Sequence, residues 1–244
     1  MESWGITDSG KVRQSNQDVY KILIDEDKET AVLVVCDGMG GANAGNVASE
    51  LAAEVFVNHV SEHIKADTQL DDVAELVADA SVAANTAVFD RGLYDEECSG
   101  MGTTLTALVS SKAGEVVANI GDSRAYHITQ AGISQITKDH SVVEEMIDRG
   151  EITRIEAHRH PSKNLITRVI GVNMYEMTDI FTQNTDDGDI ILLCSDGLSN
   201  LISDDEMLIE LKNCTCIQES CKALVDKALE RGAPDNVTAV IFKK

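Results

Sequence analysis

Apolar positions along the chain fall into two rhythms. Short runs rich in β-branched residues and bounded by Gly, Asp or Asn predict strands at "VYKILID" (19–25), "AVLVVCD" (31–37), "TTLTALVSS" (103–111), "EVVANIGD" (115–122), "SRAYHIT" (123–129), "DIILLCSD" (189–196) and "NVTAVIF" (236–242). A helical period predicts helices in "NVASELAAEVFVNHVSEHI" (46–64), "DDVAELVADASVAANTAVF" (71–89) and "IQESCKALVDKALERG" (217–232). The order of these elements matters more than their number. Two long helices come together in 44–91, hairpin-spaced strands fill 103–136, and a helix followed by a strand closes the sequence. That grouping suits an α+β fold, antiparallel sheets with helices packed outside, rather than alternating βαβ units. The stretch 141–170, with "EITRIEAHRHPSKN" at its centre, is polar and rich in charge and His, and predicts a surface insertion or flap.

No repeat, low-complexity tract or Pro/Ser-rich linker interrupts the 244 residues, so a single domain over 1–244 with a sizeable core is expected. A hydrophobic share of 43% with only 2 prolines fits a globular chain. No stretch approaches the ~18 consecutive apolar residues of a membrane span. The opening "MESWGITDSGKVRQSNQD" lacks the basic-then-apolar pattern of a secretory leader, so a cytoplasmic location is expected. A formal net charge of −22 argues against nucleic-acid and anionic-membrane partners, which it would repel. An anionic substrate would then require concentrated positive charge at the site. The six cysteines are expected to be reduced. Cys36 and Cys194 sit in apolar runs as core residues, Cys214, Cys216 and Cys221 lie near a helix, and the lack of a C-x-x-C pair argues against structural zinc.

One punctuation recurs. An apolar run meets Asp at "LVVCDG" (Asp37), "VVANIGDS" (Asp122), "ILLCSDG" (Asp196) and "APDNVTAVIF" (Asp235), each beside Gly, Ser or Asn. If those strand ends lie together in facing sheets, the carboxylates converge, and anions that close need a cation between them. Oxygen donors without Cys or His suit a hard, hydrated ion such as Mg²⁺ or Mn²⁺. Two such ions could activate a water and neutralise phosphoryl oxygens during in-line displacement. In "GKVRQSNQDVY", Arg13 offers a planar fork for two phosphate oxygens and Asp18 starts another strand. Competing chemistries fail on spacing: no Cys precedes an Arg by six positions, and there is no G-x-x-x-x-G-K-[ST], G-x-S-x-G or H-E-x-x-H.

Taken together, the motifs resemble the metal-dependent protein phosphatase family (PPM, type 2C) in its compact bacterial form. They run nearly end to end: R-x-x-N-x-D at Arg13–Asp18, D-G-M-G-G at Asp37–Gly41, G-x-T at Gly102–Thr104, G-D-S-R at Gly121–Arg124, D-H-S at Asp139–Ser141, S-D-G-L at Ser195–Leu198 and P-D-N-x-T at Pro234–Thr238. The resemblance implies a four-layer sandwich of two antiparallel sheets flanked by helices. It also implies hydrolysis of phosphoserine and phosphothreonine on proteins with two Mn²⁺ or Mg²⁺ ions and a weaker third. By position, Asp37 would bridge two metals, and the carbonyl of Gly38 with Asp196 and Asp235 would complete their ligands. Asp18 would orient metal-bound water, Arg13 would hold the phosphate and Asp122 would help bind the third ion. The segment 141–170 would be the variable flap. A monomer that reverses the work of a Ser/Thr kinase is implied.

Two positions depart from the pattern. Some relatives have Glu in place of Gln17, so a charge is missing near the metals. Relatives with D-G-H-G-G have His in place of Met39, where it is thought to protonate the leaving group. Methionine cannot do so, which leaves His158 or His160 of the flap, or water, as proton source. A silent, phosphoprotein-binding member of the family and an enzyme acting on a small phosphorylated molecule are the alternatives at this point.

Overall fold

The structure, a computed structural model, describes residues 1–39, 44–157, 159–212 and 216–244. Eleven strands form two sheets among these residues. One sheet holds β1 (Glu2–Asp8), β11 (Val237–Lys243), β10 (Ile190–Cys194), β7 (Arg124–Ile128) and β8 (Ile133–Gln135), in that spatial order. The other holds β2 (Asp18–Asp25), β3 (Thr30–Met39), β5 (Leu105–Ser111), β6 (Gly114–Ile120) and β9 (Asp179–Gln183), with short β4 (Gly102–Thr103) on β3. Every pairing is antiparallel. The α+β sandwich expected from the sequence is the one observed.

The strand period of two builds the layers. On β3, Ala31, Leu33 and Val35 face the other sheet, where they join Leu108, Val117, Ala125, Ile191, Leu193, Val240 and Phe242 in the inter-sheet core. The alternate residues Val32, Val34 and Cys36 turn outward and pack under α1 (Ala44–His63) and α2 (Leu70–Tyr94). In the second sheet, Leu192, Cys194, Ala239 and Ile241 likewise face α6 (Asp204–Lys212) and α7 (Ile217–Glu230). Strands apolar on both faces are what continuous hydrophobic runs such as "AVLVVC" and "IILLC" require. Cys36 and Cys194 are fully buried, as expected of core residues. Cys221 is buried within α7 and Cys216 caps its start, whereas Cys214 lies outside the described residues.

The elements that the apolar pattern did not reveal are edge strands and half-covered helices. β1, "ESWGITD", buries only Gly5, and β9 has no buried residue, because each has a neighbour on one side only. α6 buries only Met207 and Leu211. The segment 141–170 carries α3 (Val142–Asp148) and α4 (Arg154–Ala157), and it is tied at both ends by the bridges Ser141↔Ile166 and Thr103↔Ile170. Its polarity is real, yet Val143 and Ala157 are buried.

Candidate active site

The inner-face alternation explains where the carboxylates go. Continuing Leu33 and Val35 by two more positions places Asp37 on the same inter-sheet face, and Asp18 is its direct partner in the β2–β3 register. Two like charges opposite each other in a ladder repel. The same parity carries Ser195 beyond Leu193 of β10, and Thr238 before Val240 of β11, to this end of the sandwich. Both hydroxyls donate to Asp18 Oδ2 at 2.7 Å. Thr7 Oγ1 lies 2.7 Å from Thr238 Oγ1 and accepts from Asn16 Nδ2 at 2.8 Å, so one hydrogen-bonded chain crosses from sheet to sheet.

Asp122, at the β6–β7 turn, Asp196, opening the short α5 (Asp196–Ser199) after β10, and Asp235, just before β11, arrive at the same end because antiparallel strands alternate their termini. With Arg13, Gln17, Asp37, Gly38 and Met39 they line one cleft of about 250 Å³. Burial, reinforced by the negative charge of Asp18, Asp196, Asp122 and Asp235, holds the Asp37 carboxyl well above the ordinary range. Burial pushes Asp18 up to about 7 and Asp122 up to about 8, and raises Asp196, with neighbouring carboxylates adding to each. The shifts share their causes, burial first and then a crowd of anions with too little counter-charge. Among the described residues lining this cleft the one guanidinium is Arg13, whose Nη2 donates to Asp235 Oδ2 at 2.8 Å, with both side chains partly exposed.

The donor set fits a hard divalent cation. It consists of oxygens alone, and Asp18 Oδ1 is buried with no hydrogen-bond partner. Among the described residues no three His, Cys, Asp or Glu side chains are drawn into a closed coordination group, so the carboxylates form an open wall. An open wall suits an ion that keeps several waters.

Several motif residues prove to be scaffolding for that wall. Asn236, buried, accepts from the Gln17 N–H at 2.8 Å and donates to the carbonyls of Ser9 and Ser15 at 2.9 and 3.0 Å, which pins the loop bearing Arg13. Thr104 Oγ1 accepts from the Asp37 N–H at 2.9 Å and pairs with Ser123 Oγ at 2.8 Å. Arg124 holds Asp139 with both fork arms, Nε to Oδ1 at 2.9 Å and Nη2 to Oδ2 at 2.6 Å. Gly38 is required by space: a Cβ there would lie 2.2 Å from the Gly45 carbonyl oxygen and 2.7 Å from that of Gln17. Gln17, where some relatives carry Glu, packs its amide near Gly45. Of the two histidines weighed as proton donors in segment 141–170, His158 lies outside the described residues, and His160 accepts from the Ser162 N–H at 3.2 Å and is not among the residues lining the cleft.

A family model for protein phosphatase 2C matches residues 10–231. The chain belongs to the protein phosphatase 2C family. It is 35% identical over 241 residues to a serine/threonine phosphatase, Stp, of Listeria innocua, covering 98% of this chain and 94% of that protein. It is 37% identical over 236 residues to the serine/threonine protein phosphatase PstP of Mycobacterium tuberculosis, covering 96% of this chain and 43% of that longer protein. Among solved structures, a serine/threonine phosphatase from Staphylococcus aureus superposes with a TM-score of 0.90 at 32% identity, over 100% of this chain and 94% of that one. The catalytic domain of PstP in complex with two manganese ions superposes with a TM-score of 0.82 at 33% identity, over 98% and 96%. Within this 2C-type fold, the roles of Ser195, Thr238 and Asn236 were spelled out in the S-D-G-L and P-D-N-x-T motifs only as letters. Thr7 stands in no motif and had no signal at all.

Proposed function

We propose that the chain is a metal-dependent serine/threonine protein phosphatase that hydrolyses phosphoserine and phosphothreonine on proteins. The observation that carries this reading is the meeting of Asp18, Asp37, Asp122, Asp196 and Asp235 at one end of the sandwich, where burial raises the pKa of the first four, with the Arg13 guanidinium on Asp235. Asp37, the Gly38 carbonyl, Asp196 and Asp235 would hold two Mn²⁺ or Mg²⁺ ions, and Asp122 with Asp196 a weaker third. Bound there, the ions supply Lewis-acid charge for the phosphoryl oxygens and lower the pKa of the attacking water.

The remaining steps belong to the chain's own residues. Arg13, on the loop pinned by Asn236, binds two phosphate oxygens through its fork, giving up Asp235 as it does so. Asp18, held by Ser195 and Thr238 through one oxygen, keeps its other, buried oxygen without a hydrogen-bond partner in the protein, and would use it to orient the water. The water oxygen bonds to phosphorus as the bond to the Ser or Thr oxygen breaks. Met39 lines the cleft without a proton to give, so the leaving oxygen is protonated from elsewhere. The segment 141–170, of which Asn164 and Ile166 line the cleft, acts as a flap beside the substrate. Substrates are the products of a Ser/Thr kinase, and the protein works in the cytoplasm as a monomer. No helix among the described residues is long and apolar enough to cross a membrane. Phosphate release from phosphothreonine peptides should require Mn²⁺ or Mg²⁺ and vanish in EDTA. Turnover that survives complete metal removal would refute the reading.

A further inference from the structure

His140 is 6% exposed and lies in neither strand nor helix, yet all its hydrogen-bonding atoms are engaged. Its backbone N–H donates to the Gly121 carbonyl at 2.9 Å, and its ring Nδ1 accepts from the Gly121 N–H at 3.1 Å, so one residue grips both polar groups of one glycine. Its carbonyl accepts from the Thr167 N–H at 2.8 Å. Its Nε2 donates to Asp179 Oδ2 at 3.1 Å, and Asp179 Oδ1 accepts from Arg168 Nη1 at 2.7 Å. The acceptor role of Nδ1 fixes the neutral tautomer with its proton on Nε2. Burial keeps the imidazole's pKa below its ordinary value, which favours that neutral form at pH 7.

Each partner leads somewhere different. Gly121 has φ +109° and sits so close to Thr104 that a Cβ would lie 2.5 Å from its Cγ2. Thr104 in turn receives the Asp37 N–H, and the residue after Gly121 is Asp122. On the other side, Ser141 follows His140 and caps α3 by accepting from the Glu144 N–H, while Thr167 and Arg168 are the returning end of segment 141–170. His140 therefore stands where the turn carrying Asp122, the outgoing end of the segment and its returning end meet.

We propose that His140 is a positioning residue that couples the segment 141–170 to the carboxylate turn: its Nδ1 arm sets Asp122 and, through Thr104, Asp37, while its Nε2 arm sets the returning end of the segment. The proposal rests on the metal-dependent phosphatase reading of the same cleft. It makes the cleft and its flap one mechanical unit, with substrate contact at the segment felt at the metal ligands and metal binding felt at the segment.

The two arms separate by substitution. In His140→Asn the amide oxygen stands in for Nδ1 and keeps Gly121, but the side chain is too short for Asp179. In His140→Gln the amide nitrogen stands in for Nε2 and keeps Asp179, but Gly121 N–H loses its acceptor. Mn²⁺ binding to each protein is measured by calorimetry, amide exchange is followed over residues 141–170, and KM and kcat are compared on a phosphothreonine protein and on p-nitrophenyl phosphate. His140→Gln should weaken Mn²⁺ binding by about tenfold or more, the usual scale for residues that orient metal ligands. His140→Asn should leave Mn²⁺ binding near native while speeding exchange in 141–170 and raising KM for the protein substrate more than for the small ester. Arg168→Met should repeat the His140→Asn pattern with the imidazole in place, so the second arm is tested even if a His140 variant fails to fold. Equal effects of all three on Mn²⁺ binding and on exchange, or effects on melting temperature alone, would overturn the coupling. Absence of Mn²⁺ binding by the native protein would instead remove the phosphatase reading on which it stands.

Discussion

Asp18→Asn should make the metal-free protein more stable while abolishing its activity. The Asp18 side chain is buried, and burial with nearby Asp196 and Asp235 pushes its carboxyl up to about 7. Against an ordinary Asp value of about 3.9, ionising it at pH 8 costs the fold about 4 kcal/mol at ~1.36 kcal/mol per unit. The sign follows from a pKa raised in the folded state. The stability linked to the protonated form is fully present below about pH 4 and is lost as pH rises through about 7. Asparagine carries no such charge. Its oxygen still accepts from Ser195 and Thr238, but its amide nitrogen inherits the buried place of Oδ1, which has no partner, at a cost of ~1–3 kcal/mol. The net gain is then about 2 kcal/mol, or roughly 4–8 °C in melting temperature for a chain of this size. The assay is a set of thermal melts in EDTA from pH 4 to pH 8, repeated with saturating Mn²⁺. The advantage of the variant should shrink toward pH 4 and reverse with metal, which binds the native carboxylate cluster better. A variant less stable than native in EDTA at pH 8, or a difference that ignores pH, would show that Asp18 is adequately compensated and that the reasoning fails.

Arg13→Ala should raise KM for phosphopeptides more than it lowers kcat, because a bidentate contact to phosphate forms before the transition state; an unchanged KM would return Arg13 to the role of a partner for Asp235 alone. Asp122→Ala should shift the Mn²⁺ titration of activity to higher concentration while far-UV circular dichroism stays native, and superimposable titrations would remove Asp122 from the metal sites. Gly38→Ala should lower stability by about 1–3 kcal/mol in chemical denaturation, since the new methyl meets backbone oxygens at 2.2 and 2.7 Å that cannot rotate away. For Met39, rates across aryl phosphates should depend steeply on leaving-group pKa and less steeply in Met39→His; proton donation contributes ~10²–10⁴-fold where the leaving group is poor, and identical slopes would show that another donor already serves.

The sequence made the sandwich legible because its central strands are apolar on both faces and announce themselves as unbroken runs. β1, β8 and β9 escaped because an edge strand covered on one side needs no such run. The carboxylates were legible for a related reason: a strand whose inner face is apolar to its last turn and then shows Asp, as β3 does from Ala31 to Asp37, has reached the rim of the core. What the letters could not give was partnership. Nothing in "TDSGK" says that Thr7 will meet Thr238, or in "PDN" that Asn236 will hold Ser9, Ser15 and Gln17, since those bonds depend on register between strands at opposite ends of the chain. Polarity alone also described the segment 141–170 incompletely, because His140 and Ser141 at its root are among the buried polar residues.

The side-chain bonds that build this end of the sandwich span most of the chain: 177 positions from Asp18 to Ser195, 219 from Gln17 to Asn236 and 231 from Thr7 to Thr238. Closing loops of that length is slow compared with helix formation or hairpin pairing. As the polypeptide leaves the ribosome, Arg13, Asp18 and Asp37 emerge early and wait, and the last of the residues that position them, Asn236 and Thr238, arrive only with β11. A chain stopped short of Pro234 has neither Asp235 nor the asparagine and threonine that fix the N-terminal loop. A copy that ends before Asp235 should therefore lack phosphate cleavage, so the cleft serves as the molecule's own test of completion.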